Sequence, residues 1–139
     1  MTSNPRVVFD TNVLISAAFS ELGKPRKALD TISHSGVILF SDVTFQELER
    51  TLYKPRLLRY LDEHQRRSFV EWMQSRGRFI EVTETIRACS DRDDDKFLEL
   101  AVSGEADCIV TGNIRDFPPS PFRGIPILRP AEFLDTLAL

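Results

Sequence analysis

Short runs of consecutive apolar residues alternate along this chain with longer stretches in which apolar residues recur every three or four positions. The runs Val7-Val8-Phe9, Val37–Phe40 (VILF) and residues 107–111 (DCIVT) are too short for helices and rich in β-formers. They predict strands buried on both faces of a sheet. Residues 79–82 and 125–128 (IPIL) are further strand candidates. Between these runs the helical patterns fall in order. Residues 13–19 continue apolar from a start near Asn12; a second segment begins at Gly23-Lys24-Pro25, carries Ala28, Leu29 and Ile32, and ends at Gly36. A third is capped by Ser41 or Asp42 and carries the stripe Phe45, Leu48, Leu52; Pro55 interrupts it or starts the next. Residues 62–76 place Phe69, Val70, Trp72 and Met73 on one side and stop at Gly77, residues 90–103 form another helix, and Pro130–Leu137 closes with proline in its first turn. Strands separated by helices of these lengths are βαβ units. The expected class is α/β, a three-layer α/β/α arrangement around a mostly parallel sheet of four to five strands.

Composition narrows this picture without redirecting it. With 139 residues, 42% hydrophobic and 28% charged, one globular domain is expected, large enough to bury roughly two thirds of its unfolded surface. No basic stretch followed by an apolar run opens the sequence, and no apolar run approaches the roughly 20 residues that span a bilayer. The expectation is a soluble, cytosolic protein that does not engage membranes. Cys89 and Cys108 are far apart with no C-x-x-C partner, so zinc-knuckle and redox motifs are absent and both are expected reduced and buried. A formal net charge of -3 does not by itself indicate a nucleic-acid binder, although distribution matters more than the sum.

The candidate chemistry is carried by acids. Asp10 ends the first strand, and in open α/β sheets the carboxyl edge is where ligands bind; Asp10 or Thr11 also suits the cap of the helix that starts near Asn12. In DRDDDKFLELA (91–101) the apolar face runs through Phe97, Leu98 and Ala101, three, four and seven residues after Asp94. Asp94 therefore sits at the top of a buried stripe, with Asp91 one turn earlier and Asp93 and Asp95 flanking it. A first helical turn favours acids through its dipole, but four are more than capping requires. Thr111, Asn113 and Asp116 follow the strand DCIVT, whose carboxyl end should lie beside that of the first strand and face Asp10. Glu47 and Glu49 flank the stripe of the third helix on opposite sides, and periodicity does not choose between them.

VVFDTNVLIS, SDVTFQELERTL, DRDDDKFLELA and DCIVTGNIRDF, in that order, resemble the PIN domain, the metal-dependent ribonuclease fold of VapC-type toxins in prokaryotic toxin-antitoxin pairs. The resemblance covers nearly the whole chain. It implies Asp10 as the first acid, Glu47 rather than Glu49 as the second, and Asp94 as the third. The family's fourth acid falls where this chain has Asn113, so Asp116 or Asp91 is left to supply that charge. Physical chemistry is consistent with this assignment. Two carboxylates about 4 Å apart repel by roughly 4 kcal/mol at an effective dielectric of about 20, so converging acids require protonation or a cation. Oxygen ligands without His or Cys suit Mg²⁺ or Mn²⁺. Such an ion activates water for attack on a phosphodiester where no nucleophilic side chain is present. Thr11, Asn12 and Thr111 are then donors that orient the ligating carboxylates.

Lys54, Arg56, Arg59, Arg66, Arg67 and Arg76, between Arg50 and Arg78, together with Arg115 and Arg123, are candidate contacts to RNA phosphates. The pattern excludes other chemistries. A haloacid-dehalogenase phosphatase needs an acid where Asn12 stands, a dinucleotide fold needs G-x-G-x-x-G after the first strand, and His34 and His64 have no nucleophile elbow. The remaining alternative, motivated by Asn113, is a non-catalytic PIN-like RNA-binding or regulatory module. The resemblance implies a cognate antitoxin protein as partner. The apolar arc of 62–76, with Leu57, Leu58, Tyr60 and Leu61 nearby, is wide enough to leave a surface for a homodimer.

Overall fold

The computed structural model describes residues 4–137, and in it the apolar runs become a five-stranded sheet. The order along the chain is β1 (Arg6–Phe9), α1 (Thr11–Phe19), α2 (Lys24–Ser35), β2 (Val37–Phe40), α3 (Asp42–Leu52), α4 (Glu63–Arg76), β3 (Gly77–Phe79), α5 (Asp95–Ser103), β4 (Cys108–Val110), β5 (Ile127–Leu128) and α6 (Pro130–Leu137). Short 3₁₀ turns occupy Pro55–Leu57, Arg92–Asp94 and Ile114–Asp116. The strands lie in the order β3-β2-β1-β4-β5, and each neighbouring pair is parallel. The expected α/β/α layering and sheet are therefore observed, with all five strands parallel. No helix among the described residues is long and apolar enough to cross a membrane.

The strands are uniformly apolar because both faces are covered. Val7, Phe9, Ile38, Phe40, Cys108 and Val110 enter one core with α1, α2, α3, α4 and α6. Val8, Leu39 and Ile109 point the other way, into a core built with Phe97, Leu98 and Leu100 of α5. This is the two-residue alternation of a strand, read out as two separate hydrophobic clusters. Caps set the helix starts: Asp10 accepts from Val13 N–H at 2.9 Å, Ser41 rather than Asp42 caps α3 with Thr44 closing the box, and Asp62 caps α4 with Gln65.

Several expectations are corrected. The helix expected over 90–103 begins only at Asp95, because Asp91 caps a 3₁₀ turn first. The Asp95 carboxylate also holds the chain back by accepting from Ala88 and Cys89 N–H at 3.0 and 2.8 Å. The strand expected at 79–82 starts earlier, at Gly77, against Ile38 of β2. Most of the apolar arc around α4 is internal: Phe69, Met73, Leu57 and Leu61 are buried and Val70 and Trp72 half-buried, while Leu58 and Tyr60 stay exposed. Both cysteines are free, with Cys108 buried and Cys89 half-buried.

Gly77 shows why α4 can pass directly into β3. A Cβ there would lie 2.5 Å from Phe40 Cδ2 and 2.8 Å from the Met73 carbonyl oxygen, so only glycine permits the approach. Gly77→Ala is expected to destabilise the chain by about 1–3 kcal/mol. Urea unfolding should give a lower midpoint at unchanged slope; an unchanged midpoint would contradict the close packing.

Candidate active site

The strand order creates the site. From β1 the chain moves outward through β2 to β3 and then crosses back to β4 on the other side of β1. A crevice opens where the direction reverses, outside the carboxyl ends of the strands. Val7, Val8 and Phe9 pair with Cys108, Ile109 and Val110, which brings Asp10 and Thr111, the residues following the two strands, side by side. Asp10 N–H continues the ladder to the Val110 carbonyl at 3.0 Å. The Thr111 hydroxyl donates to Asp10 Oδ2, and Asp10 Oδ1 takes the first-turn N–H of α1. Asp10 is thus both a helix cap and a site acid.

A cavity of about 160 Å³ sits above this pair, with Asp10, Glu47, Asp93, Asp94 and Asn113 in its wall. Glu47 arrives from α3, pointing inward, and accepts from the Thr11 hydroxyl, while Glu49 is exposed. Asp94 arrives from the turn before α5 and is half-buried. Lys54 and Arg56 stand at the mouth. Asp116 and Asp91 do not line the cavity. Asp91 is exposed and caps its turn through Asp93 N–H at 2.9 Å, and Asp116 is half-buried; the charge of each is nevertheless felt at Asp94. The Asn113 backbone N–H donates to the Thr111 hydroxyl at 3.0 Å, and Asn12 is an exposed wall residue.

Other residues selected from the sequence lie elsewhere. Arg123 pairs with Glu84 at 3.4 Å, and Arg115 is exposed outside the cavity wall. Arg66 is buried beneath Tyr53, with a bond to the Leu57 carbonyl at 3.4 Å. The residue that the sequence reading missed is Lys96. Its ammonium bonds Glu47 and lies 3.1 Å from Asp93. A signal was present: a lysine in the first turn of a helix opposes the dipole, and Asp93 and Lys96 are three apart, the spacing of a local ion pair.

The electrostatics follow from burial. Asp10 is 4% exposed, and its carboxyl pKa is raised by burial and by Glu47, against the lowering bonds from Thr111 and Val13. Burial, followed by Asp91, Asp116 and Asp10, pushes Asp94 up to about 6. Asp95 goes the opposite way: burial raises it, but the bonds from Ala88 and Cys89 N–H, the Cys89 thiol and the charge of Arg92 together lower it. For Lys96, burial alone would lower the pKa, but Glu47 and Asp93 raise it. Among the described residues no three Asp, Glu, His or Cys side chains gather tightly enough to wrap an ion by themselves. The donor set suits a hard cation that takes one or two carboxylates and completes its octahedron with water and phosphate oxygens.

Linkage fixes the sign of the pH dependence. The folded value for Asp94, about 6, lies above the reference 3.8, so in that interval the folded chain holds more protons and stability falls as pH rises. Asp94→Asn removes this effect. Without divalent ions its melting temperature should exceed that of the parent at about pH 8 and converge with it below about pH 4. A lower melting temperature at pH 8 would contradict the assignment.

Comparison with known proteins places this geometry. Residues 6–115 match the family model described as PIN domain. MJ1680, an uncharacterized protein of Methanocaldococcus jannaschii, is 31% identical over 110 residues, covering 78% of this chain and 70% of that protein. The fold is similar to that of VapBC2 from Rickettsia felis, solved bound to a DNA fragment from their promoter, with a TM-score of 0.59 and 19% identity over 89% of this chain and 97% of that one. It is also similar to FitAcB from Neisseria gonorrhoeae, with a TM-score of 0.56 and 16% identity over 90% and 98% of the two chains. The parallel sheet, the acids at its carboxyl edge and the match over 6–115 agree, and this chain belongs to the PIN-domain family.

Proposed function

We propose that this chain is a metal-dependent endoribonuclease that cuts RNA phosphodiesters with an activated water, and that it is the toxin of a toxin-antitoxin pair acting in the cytosol. The observation that carries the reading is the meeting of Asp10, Glu47 and Asp94, from three separate elements, at one pocket. Neither Asp10 nor Asp94 has a salt-bridge partner among the described residues. Unneutralised acids in a half-enclosed pocket favour a divalent ion, and oxygen donors alone favour Mg²⁺ or Mn²⁺. When bound, the ion supplies Lewis-acid polarisation of the phosphate and a lowered pKa for water.

The protein's own groups do the remaining work. Asp10 and Asp94 hold the ion, and Glu47 closes the flank. The Thr111 and Thr11 hydroxyls fix the rotamers of Asp10 and Glu47. Asn12 and Asn113 offer neutral donors at the rim where a fourth carboxylate would repel the substrate, and Asp116 adds negative charge that is felt at Asp94. Lys54 and Arg56 at the mouth bind the phosphates of an incoming strand. The likeness to VapBC2 supports an antitoxin protein as the natural partner. Asn113 at the fourth position favours one other reading, a non-catalytic RNA-binding or regulatory module; chelation separates the two.

Purified protein is expected to cleave single-stranded RNA with Mg²⁺ or Mn²⁺ and to stop on addition of a chelator. Asp10→Asn and Asp94→Asn should each reduce the rate by about a hundredfold or more, a loss of several kcal/mol of charge stabilisation. Asp116→Asn should weaken cleavage more than Glu49→Gln, which leaves it near the parent value. Cleavage that resists chelation, or near-normal rates in either aspartate variant, would overturn the assignment.

The same reading includes a homodimer. Phe19, Leu58 and Tyr60 remain 38%, 49% and 60% exposed, and the Phe19 and Tyr60 rings touch with centroids 5.6 Å apart. This surface is what the buried arc around α4 leaves for association. Sedimentation at tens of micromolar should show a dimer that Tyr60→Glu dissociates while the variant stays folded; a monomeric parent would contradict it.

A further inference from the structure

The acids of the pocket are not equivalent, and Lys96 makes the difference. Four carboxylates line the cavity: Asp10, Glu47, Asp93 and Asp94. The Lys96 ammonium bonds two of them, Glu47 and Asp93. Its side chain is 12% exposed and that of Glu47 16%, so the contact with Glu47 is largely out of water, whereas Asp93 is 74% exposed. Glu47 is held at both oxygens, Oε1 by the Thr11 hydroxyl and Oε2 by Lys96. The approach is from behind. Lys96 lines a different cleft, with Arg50, Arg87 and Glu99, and Asp93 forms the wall between that cleft and the acid pocket. A lysine reaching a pocket acid through its back wall is not placed to touch a substrate in the pocket. It is placed to hold Glu47 still and to offset its charge.

We propose that Lys96 is a built-in cation that fixes Glu47 and limits the site to one divalent ion, held by Asp10 and Asp94. This rests on the metal-binding part of the reading above. The ammonium's single charge is spent on Glu47, the sheltered partner, while Asp93 is left largely to water; Asp10 and Asp94 have no ion-pair partner among the described residues and are the carboxylates open to a divalent ion. A second ion beside Glu47 would have to displace Lys96 from two carboxylates while carrying like charge toward it. Lys96 acts through Glu47 and is therefore a positioning residue. Its removal should change how much metal the protein takes up, which a lysine serving only to pack α5 against α3 would not do.

Calorimetric titration with Mn²⁺ alone, with ion counting by electron paramagnetic resonance, tests this without any substrate. The parent protein should bind one ion per chain. Lys96→Met should bind two, the first about tenfold tighter, the effect of removing one like charge from the neighbourhood of a divalent ion. Lys96→Arg should restore one. The double variant Lys96→Met/Glu47→Gln, which deletes both members of the buried pair and so leaves no orphaned charge, should also bind one. If Lys96→Met fails to fold, Lys96→Gln keeps a donor for Glu47 without the charge and carries the same expectation of two. Two ions on the parent, or a folded Lys96→Met or Lys96→Gln variant indistinguishable from it in number and affinity, would overturn the proposal. A parent that takes up no Mn²⁺ removes the metal reading and this proposal together. One ion per chain with no cleavage of RNA supports this proposal and defeats the ribonuclease reading alone.

Discussion

Like charges held close together, with too few opposite charges to balance them, are the constraint on which this structure turns. Asp10 is buried at the end of a strand that is itself buried on both faces. Burial raises its pKa, and the hydrogen bonds from Thr111 and the first turn of α1 work against that rise. Those bonds stabilise the carboxylate without neutralising it, so the charge is still felt at Asp94, and that of Glu47 is felt at Asp10. A chain selected for stability alone would replace one of these acids, since a buried charge with no cation opposes folding. The arrangement is intelligible if the missing positive charge comes from outside, and strained arrangements of this kind collect at functional sites.

The fold serves that constraint in two ways. The parallel sheet brings the carboxyl ends of β1 and β4 together, so that residues a hundred positions apart become neighbours without any local sequence signal. The two cores on opposite faces then clamp the elements that carry the other acids. Leu48 of α3 is anchored in one core and Phe97 and Leu98 of α5 in the other. Glu47 and Asp94 therefore come from opposite layers of the molecule and meet over the sheet edge. A pocket made this way is closely packed at its base and open at its mouth, where Lys54 and Arg56 stand.

Much of this was legible in the sequence, and the boundary of what was legible has physical reasons. Strands such as Val37–Phe40 are readable because burial on both faces demands continuous apolar residues. The adjacency of Asp10 and Thr111 followed from topology, since parallel neighbours must align their carboxyl ends. Periodicity could not separate Glu47 from Glu49, because both flank the same stripe; only the family resemblance pointed inward at Glu47. The late start of α5 was hidden in the bonds that Asp95 makes to Ala88 and Cys89, residues outside any helical window. The internal fate of the α4 arc was hidden because Phe69 and Met73 pack into a core assembled from distant elements. Lys96 was missed for the same reason: its decisive partner, Glu47, lies on another helix far upstream.

On the proposed reading, Asp10 and Asp94 together take one divalent cation. Anomalous diffraction from crystals of the protein soaked in Mn²⁺ tests it most directly, because it locates the ion without depending on turnover. The expected result is a peak bonded to the carboxylates of both Asp10 and Asp94, with Lys96 still on Glu47. Mn²⁺ bound only elsewhere on the molecule, with the Asp10 and Asp94 carboxylates empty between them, would contradict it.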